Sequence, residues 1–323
     1  MQPAGPNRPD NAAPADIAEV HRLLHCLQSL LEGQSTIDEL VACGPPAIPP
    51  LADFLLAGRI VSVPQPRVWA VEALARLGAR HVLVEYLEAP PRTTDPQLLF
   101  AEDAVRNAAA RWLGRWHDEQ TFEILLRLCR KRNLPGAIES LAEFQRVEAI
   151  PCFDRALEDD LCRPAAEDGL RKLGAKAATA LMLSAVTPLP DAADETPSSL
   201  IRRRTVLALL VEIGVDTLAW NEFRSLLTEG DAEIVVRIAQ LAAAVTGSED
   251  RARAASALVQ VLPAVPWHAA KDAEEALLAL APESVPPVAA ERQRRSAKPA
   301  TVRAGDEVLR LLLRLEVKLR RSS

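Results

Sequence analysis

The chain has 323 residues, of which 49% are hydrophobic but only 4% aromatic, and its formal net charge at pH 7 is −6. Its apolar residues are therefore mainly Ala, Leu and Val, and the scarcity of aromatic residues, which favour strands, argues against a β fold. The acidic balance argues against a nucleic-acid-binding protein of the usual basic type.

The N-terminal segment and the cysteines indicate where the protein works. Residues 1–15 are rich in Pro, Asn and Ala without the apolar core of a signal peptide, so we expect them to be disordered. No run reaches the roughly 18 apolar residues of a membrane span. The five cysteines lie in apolar helical contexts without a CxxC pair, which predicts reduced, buried thiols. Together these features predict a soluble cytoplasmic protein.

From residue 16 onward the chain predicts helices in pairs. Asp16 can cap a first helix that runs to about Glu32. An Ala- and Leu-rich helix that ends in a small or polar residue then returns about every 33 residues, and a second apolar helix follows most of these ends. A unit of two helices cannot bury its own apolar face, so the period predicts stacked repeats. The predicted ends lie near Gly44, Gly78, Gly114, Gln145, Gly174, Gly214, Thr246 and Ala281.

Three segments interrupt this pattern. Residues 188–197 form a Pro- and acid-rich insertion between two repeat units. The segment from Pro263 to Pro266 separates the last two repeat units. A basic, Pro-rich stretch follows the last unit and is typical of a linker. The sequence therefore predicts a disordered terminus at 1–15, a repeat region at 16–282, a linker at 283–301 and an amphipathic basic helix at 302–323.

Two segments resemble a known repeat family. Asp103–Gly114, DAVRNAAARWLG, resembles the first helix of a HEAT-like repeat, closest to the short bacterial type first noted in phycobilisome lyases. Gly44–Leu51, GPPAIPPL, resembles that family's turn into its second helix. The resemblance covers roughly residues 36–282, departs from the pattern at Gln145, and implies an all-α, right-handed α-solenoid of about seven or eight helix pairs. It says little about activity, because one fold carries many functions.

The spacing of Asp103 and Arg106 recurs at Asp160 and Arg163. Such pairs can serve as catalytic acid and base. The resemblance instead implies a structural ladder between neighbouring repeats, since equivalent residues of HEAT-like families usually have that role.

The densest group of chemistry-bearing residues is Arg111, Trp112, Arg115 and Trp116, here called the Arg–Trp patch. The two tryptophans are four residues apart and share a helical face, with the arginines in a parallel row. A Trp pair beside arginines can stack on a base or hold an anion, and HEAT-like DNA glycosylases bind alkylated bases in an aromatic and acidic cleft. Alternatively, Trp112 fills the repeat core, Trp116 covers the turn between the two helices, and the arginines are solvated. The acidic net charge of the chain favours this structural alternative.

Spacing gives little indication of a metal site or an enzyme. None of the five histidines precedes Glu, whereas HEAT-repeat hydroxylases of the deoxyhypusine type hold iron with His-Glu dipeptides. His21 and His25 are four apart but have no further ligand at metal-binding spacing. The motifs HExxH, GxGxxG, GxxxxGK[ST] and GxSxG are absent. We therefore expect no metal and no cofactor, and an activity like that of the bilin lyases is a remote alternative.

The C-terminal helix carries a leucine stripe and a basic row. This pattern is typical of two kinds of helix. One is a terminal cap whose apolar stripe closes the last repeat, and the other is a basic amphipathic helix that contacts an anionic membrane or an acidic partner. The basic row consists of Arg310, Arg314, Lys318 and Arg321.

The leading functional prediction is a non-catalytic scaffold or adaptor that binds a protein partner. Solenoids create extended concave surfaces lined by one helix of every pair. The resemblance assigns that lining to the second helices. Besides the Arg–Trp patch, the candidate partner-binding residues are Glu123, Arg127, Arg130, Lys131, Asp154, Arg155 and Glu158.

Overall fold

The computed structural model describes residues 17–187, 195–215, 220–245, 247–299, 301 and 305–322. Over these residues the regular structure is entirely helical, without a strand, so the all-α prediction is confirmed. The N-terminus predicted to be disordered and residues 188–194 of the predicted acidic insertion lie outside the described ranges. The chain divides into two compact units between Cys152 and Phe153.

The first unit consists of helices in two layers. The helices α2, α4, α6 and α8 pack side by side in one layer, whereas α3, α5 and α7 form the other, and α1 covers α2. This alternation is the packing that stacked helix pairs produce. The helices are α1 Ile17–Leu27, α2 Gly33–Ala42, α3 Ile48–Leu56, α4 Gln65–Arg76, α5 Arg80–Glu88, α6 Pro96–Gly114, α7 Glu119–Lys131 and α8 Pro135–Phe144.

The second unit repeats this alternation. One layer holds α10, α12, α14, α16 and α18, and the other holds α11, α13, α15 and α17. The unit boundary falls within α9. The bounds are α9 Ile150–Ala156, α10 Arg163–Leu173, α11 Ala178–Val186, α12 Pro197–Ile213, α13 Trp220–Phe223, α14 Ala232–Val245, α15 Ser248–Val261, α16 Ala270–Ala279, α17 Val285–Ser296 and α18 Glu307–Ser322.

Five of the predicted ends are left-handed residues, whereas Gly114 and Ala281 are not, and Thr246 lies outside the described residues. Gln145 has φ 51°, and Gly44, Gly78, Gly174 and Gly214 also have positive φ. Helix α6 ends at Gly114 as predicted, but the positive φ of this turn, 46°, belongs to His117 rather than to the glycine. A Cβ on residue 114 would lie 2.5 Å from Oγ of Ser140, so this glycine permits the close approach of α8.

The N-terminal helix predicted to run from 16 to about 32 ends early, at Leu27. The chain turns after Leu27, and α2 begins at Gly33. A Cβ on Gly33 would lie 2.0 Å from the ring of Trp69. The turn therefore brings the backbone of α2 directly against the indole of α4, a tertiary contact that the apolar stripe of the first helix does not reveal.

The predicted linker at 283–301 is corrected by α17, which occupies most of it. Pro286 and Pro287 lie in its first turn, where the N–H that proline lacks has no partner within the helix. The last helix begins at Glu307 rather than 302, because the Asp306 carboxylate accepts a hydrogen bond of 3.0 Å from the backbone N–H of Leu309.

The helix α18 packs on α16 and α17 of its own unit, the arrangement expected of a cap. Its stripe of Leu309, Leu312, Leu315 and Leu319 is buried, and Lys318 forms an ion pair of 2.5 Å with Glu274 of α16. Arg310 and Arg314 are exposed, and the side chain of Arg321 lies outside the described residues. Among the helices described, none has both the length and the apolarity needed to cross a bilayer.

The contact between α6 and α8 yields a stability prediction. Replacing Gly136 by alanine is expected to destabilise the protein by about 1–3 kcal/mol, because the new Cβ would overpack this contact. That Cβ would lie 2.3 Å from the carbonyl oxygen of Asn107, a backbone atom that cannot move away alone. Urea unfolding measures the effect, with Gly230→Ala as the control because a Cβ on Gly230 would meet no atom within 4 Å. Equal loss of stability in the two variants would contradict this account.

Candidate functional site

Several buried or half-buried arginines join successive helices. Each donates a hydrogen bond to a carbonyl at or just after the end of a preceding helix, where no intrahelical donor is left. The positive charge also lies at the negative end of the helix dipole. The pairs are Arg67 with Leu55, Arg106 with Leu87 and Ala89, Arg163 with Leu157, Arg202 with Ser184 and Thr187, Arg203 with Ala185, and Arg251 with Ala243.

The two predicted Asp–Arg pairs belong to this structural system, although their partners differ. Asp103 pairs with Arg132, at 2.5 Å, while Arg106 bonds the end of α5. Asp160 pairs with Arg163 of its own segment, at 2.6 Å. Both pairs therefore make structural contacts, and only the first joins elements distant in sequence.

A buried cluster surrounds Glu102 of α6. This fully buried carboxylate accepts a hydrogen bond from Arg67 and one of 2.7 Å from the Tyr86 hydroxyl, and it lies 3.9 Å from Nε of Arg106. Burial acts to raise the pKa of Glu102, but the hydrogen bonds from Arg67 and Tyr86 and the arginine charges outweigh it and hold the pKa below its usual value. Burial also raises the pKa of Tyr86, so the phenol stays a neutral donor.

The second unit uses Asp154 and Glu158 in a similar cluster. Nε of Arg202, a buried residue, lies 3.0 Å from Glu158, and its guanidinium lies 3.7 Å from Asp154. The Ser184 hydroxyl donates to Asp154 at 2.5 Å. Because a buried guanidinium requires their charge, these two acids make a structural contact, and their binding to a partner stays a prediction.

The exposed side of α7 carries the other residues predicted to bind a partner. Glu123, Arg127, Arg130 and Lys131 are all exposed there, and Arg127 forms an ion pair of 2.8 Å with Glu88 of α5. Within α9, Arg155 is exposed as well. We call Glu123, Arg127, Arg130 and Lys131 the α7 face.

The predicted helical face shared by Trp112 and Trp116 is not found, because α6 ends at Gly114 and Trp116 lies beyond it, whereas the rest of the Arg–Trp patch makes internal contacts. The guanidinium of Arg115 stacks on the ring of Trp112 at 3.7 Å. Arg111 makes two hydrogen bonds to Glu139 of α8, which raise the pKa of the guanidinium. Trp116 is half-buried. A base that stacked on Trp112 would have to displace Arg115 beside nearby carboxylates, so the arrangement does not favour the nucleic-acid alternative.

A cleft that the sequence did not predict lies between the ends of α5 and α7. Its volume is about 560 Å³, within the range of small-ligand sites. The four charged lining residues are Glu88, Arg106, Lys131 and Arg132. Its walls come from three separated segments, so no local pattern announces it. The apolar lining includes Leu87, Pro90, Pro91, Leu99, Leu128 and Leu134.

No group of three or more His, Cys, Asp or Glu side chains within the described residues is arranged to hold a metal ion. The five cysteines, all within these ranges, form no disulfide. No protein-family model matches the chain, and no curated protein matches it.

Proposed function

We propose that this chain is a HEAT-like, right-handed α-solenoid that works as a scaffold, binding a protein partner through its second-helix layer. The alternation of two layers in each unit supports the solenoid. So does the recurrent bonding of arginines to the ends of preceding helices, which ties neighbouring helix pairs together. The family resemblance favours a bacterial protein, and the cysteines, held as thiols, favour the reducing conditions of the cytoplasm.

The α7 face is the observation that carries this proposal. Arg130 and Lys131 add positive charge at the end of this face, Arg127 beside them is paired with Glu88, and Glu123 lies one turn before Arg127. Charges on an exposed face contribute little to folding but can steer and orient a partner. An acidic segment of a partner would complement this surface.

The proposal predicts that reversing charge on α7 releases the partner. We expect Arg127→Glu/Arg130→Glu to reduce recovery of the native partner at least about tenfold in affinity purification from the host, since like charges across an interface repel. The matched control is Arg22→Glu/Arg76→Glu, which makes the same charge change at exposed positions on α1 and α4. Recovery of one partner at equal yield with both variants would contradict the proposal, as would recovery of none with the unaltered chain.

A further inference from the structure

The cleft between α5 and α7 combines an apolar floor with uncompensated positive charge. Leu87, Leu128 and Leu134 form its buried base, and the half-buried Leu99 stands at one wall. Lys131 at the rim is exposed and forms no ion pair or hydrogen bond with any residue that the structure describes. The rim therefore offers an unpaired ammonium directly beside apolar surface.

The other charged residues of the rim are neutralised in pairs. Arg132 pairs with Asp103 at 2.5 Å, and Glu88 pairs with Arg127 at 2.8 Å. These four charges cancel. Lys131 is consequently the rim charge that a ligand would meet, and it would attract an anionic head group.

A second, independent excess of charge lies in the wall. Arg106 lines the cleft but is only 4% exposed, and it shares the single carboxylate of Glu102 with Arg67. Together with the neighbouring Asp103–Arg132 pair, the described residues place three guanidinium groups beside two carboxylates, so one positive charge is in excess and is stabilised by carbonyl dipoles at the end of α5. Nε of Arg106 makes no hydrogen bond to any residue within the described ranges, and burial lowers the pKa of the group. Buried charges are normally paired, so this wall favours an anion nearby.

We propose that the cleft binds an aliphatic monocarboxylate, with its chain on Leu87, Leu99 and Leu128 and its carboxylate beside Lys131. The apolar floor supplies the binding energy of the chain, and the two sources of positive charge select the anionic head. The site shares Lys131 with the α7 face, so an occupied cleft would cancel one charge of that face.

Calorimetric titration of the full chain with octanoate at low salt tests the proposal. We expect saturable binding at one site, about fivefold weaker in Lys131→Ala, because one partly exposed ion pair is lost. Leu99→Glu places a negative charge at the wall and is expected to abolish binding. The control is Arg130→Ala, which removes a neighbouring exposed charge that does not line the cleft and is expected to bind as the unaltered chain does.

Octanol, which has the same chain without the charge, is expected to bind several-fold more weakly than octanoate. Octanol that binds as tightly as octanoate would overturn the proposal, because it would show adsorption to apolar surface. The proposal also fails if the unaltered chain shows no saturation, or if Lys131→Ala and Arg130→Ala bind equally. That last comparison needs no change to the half-buried Leu99 and decides the matter even if Leu99→Glu does not fold.

Discussion

Replacing Glu102 by alanine is expected to lower the free energy of unfolding by about 3–5 kcal/mol, because it removes the only carboxylate of a buried cluster. Arg67 and Arg106 would then be left as two buried cations, and the Tyr86 hydroxyl would lose its acceptor. Urea unfolding followed by circular dichroism measures the loss. The control is Glu139→Ala, which breaks a largely exposed pair with Arg111 and should cost less than about 1 kcal/mol.

The same carboxylate predicts a pH dependence. The pKa of Glu102 is lower in the folded protein than its usual value of about 4.3, so its stabilising contribution is complete above that value and disappears as the pH falls through the folded pKa. We expect the difference in unfolding free energy between the unaltered chain and Glu102→Gln to shrink as the pH is lowered below about 4. A difference that stays constant, or grows, on acidification would contradict the assignment.

Replacing Arg202 by alanine is expected to destabilise the second unit by about 3 kcal/mol. The guanidinium holds two carboxylates, Asp154 and Glu158, and donates to the carbonyls of Ser184 and Thr187. All four acceptors would lose a partner, although the carboxylates are half-buried and water would offset part of the loss. The effect is measured as the shift in the urea unfolding curve.

Two further variants sharpen the test at Arg202. Lysine should restore little of the stability, since a point charge cannot bond several acceptors in the way a planar guanidinium does. Arg253→Ala serves as the control, because Arg253 pairs with Glu249 on an exposed surface. If Arg202→Ala unfolds at the same urea concentration as the unaltered chain, then Asp154 and Glu158 do not serve this structural role and become available for a partner again.

The structure confirms the helices and turns that were predicted from the pattern of neighbouring residues. The 3.6-residue periodicity predicted helices, and the small or polar residue at Gln145 predicted a turn that the backbone indeed makes. The first helix ends earlier than predicted, and the turn after Gly114 places its positive φ at His117, because tertiary contacts decide there. Gly114 meets Ser140 and Gly33 meets Trp69, each on a helix that is distant in sequence.

In the candidate site, too, the sequence predicted the features of a single helix but not the contacts between distant helices. The α7 face follows from the polar side of one amphipathic helix, so sequence alone placed its four residues. Local sequence does not predict the role of Asp154 and Glu158, because two helices separate them from their partner Arg202. Glu102 was overlooked because charged residues are usually exposed, although it lies one turn before Arg106 and next to the buried Ala101.

The central claim is that the α7 face binds a protein partner, and site-specific crosslinking in the host tests it most directly. A photo-reactive amino acid at position 123 or 127, both exposed on α7, is compared with one at position 76, exposed on α4. The claim predicts that one partner protein is crosslinked from both α7 positions and not from position 76. Crosslinks from position 76 alone, or none from either α7 position, would contradict it.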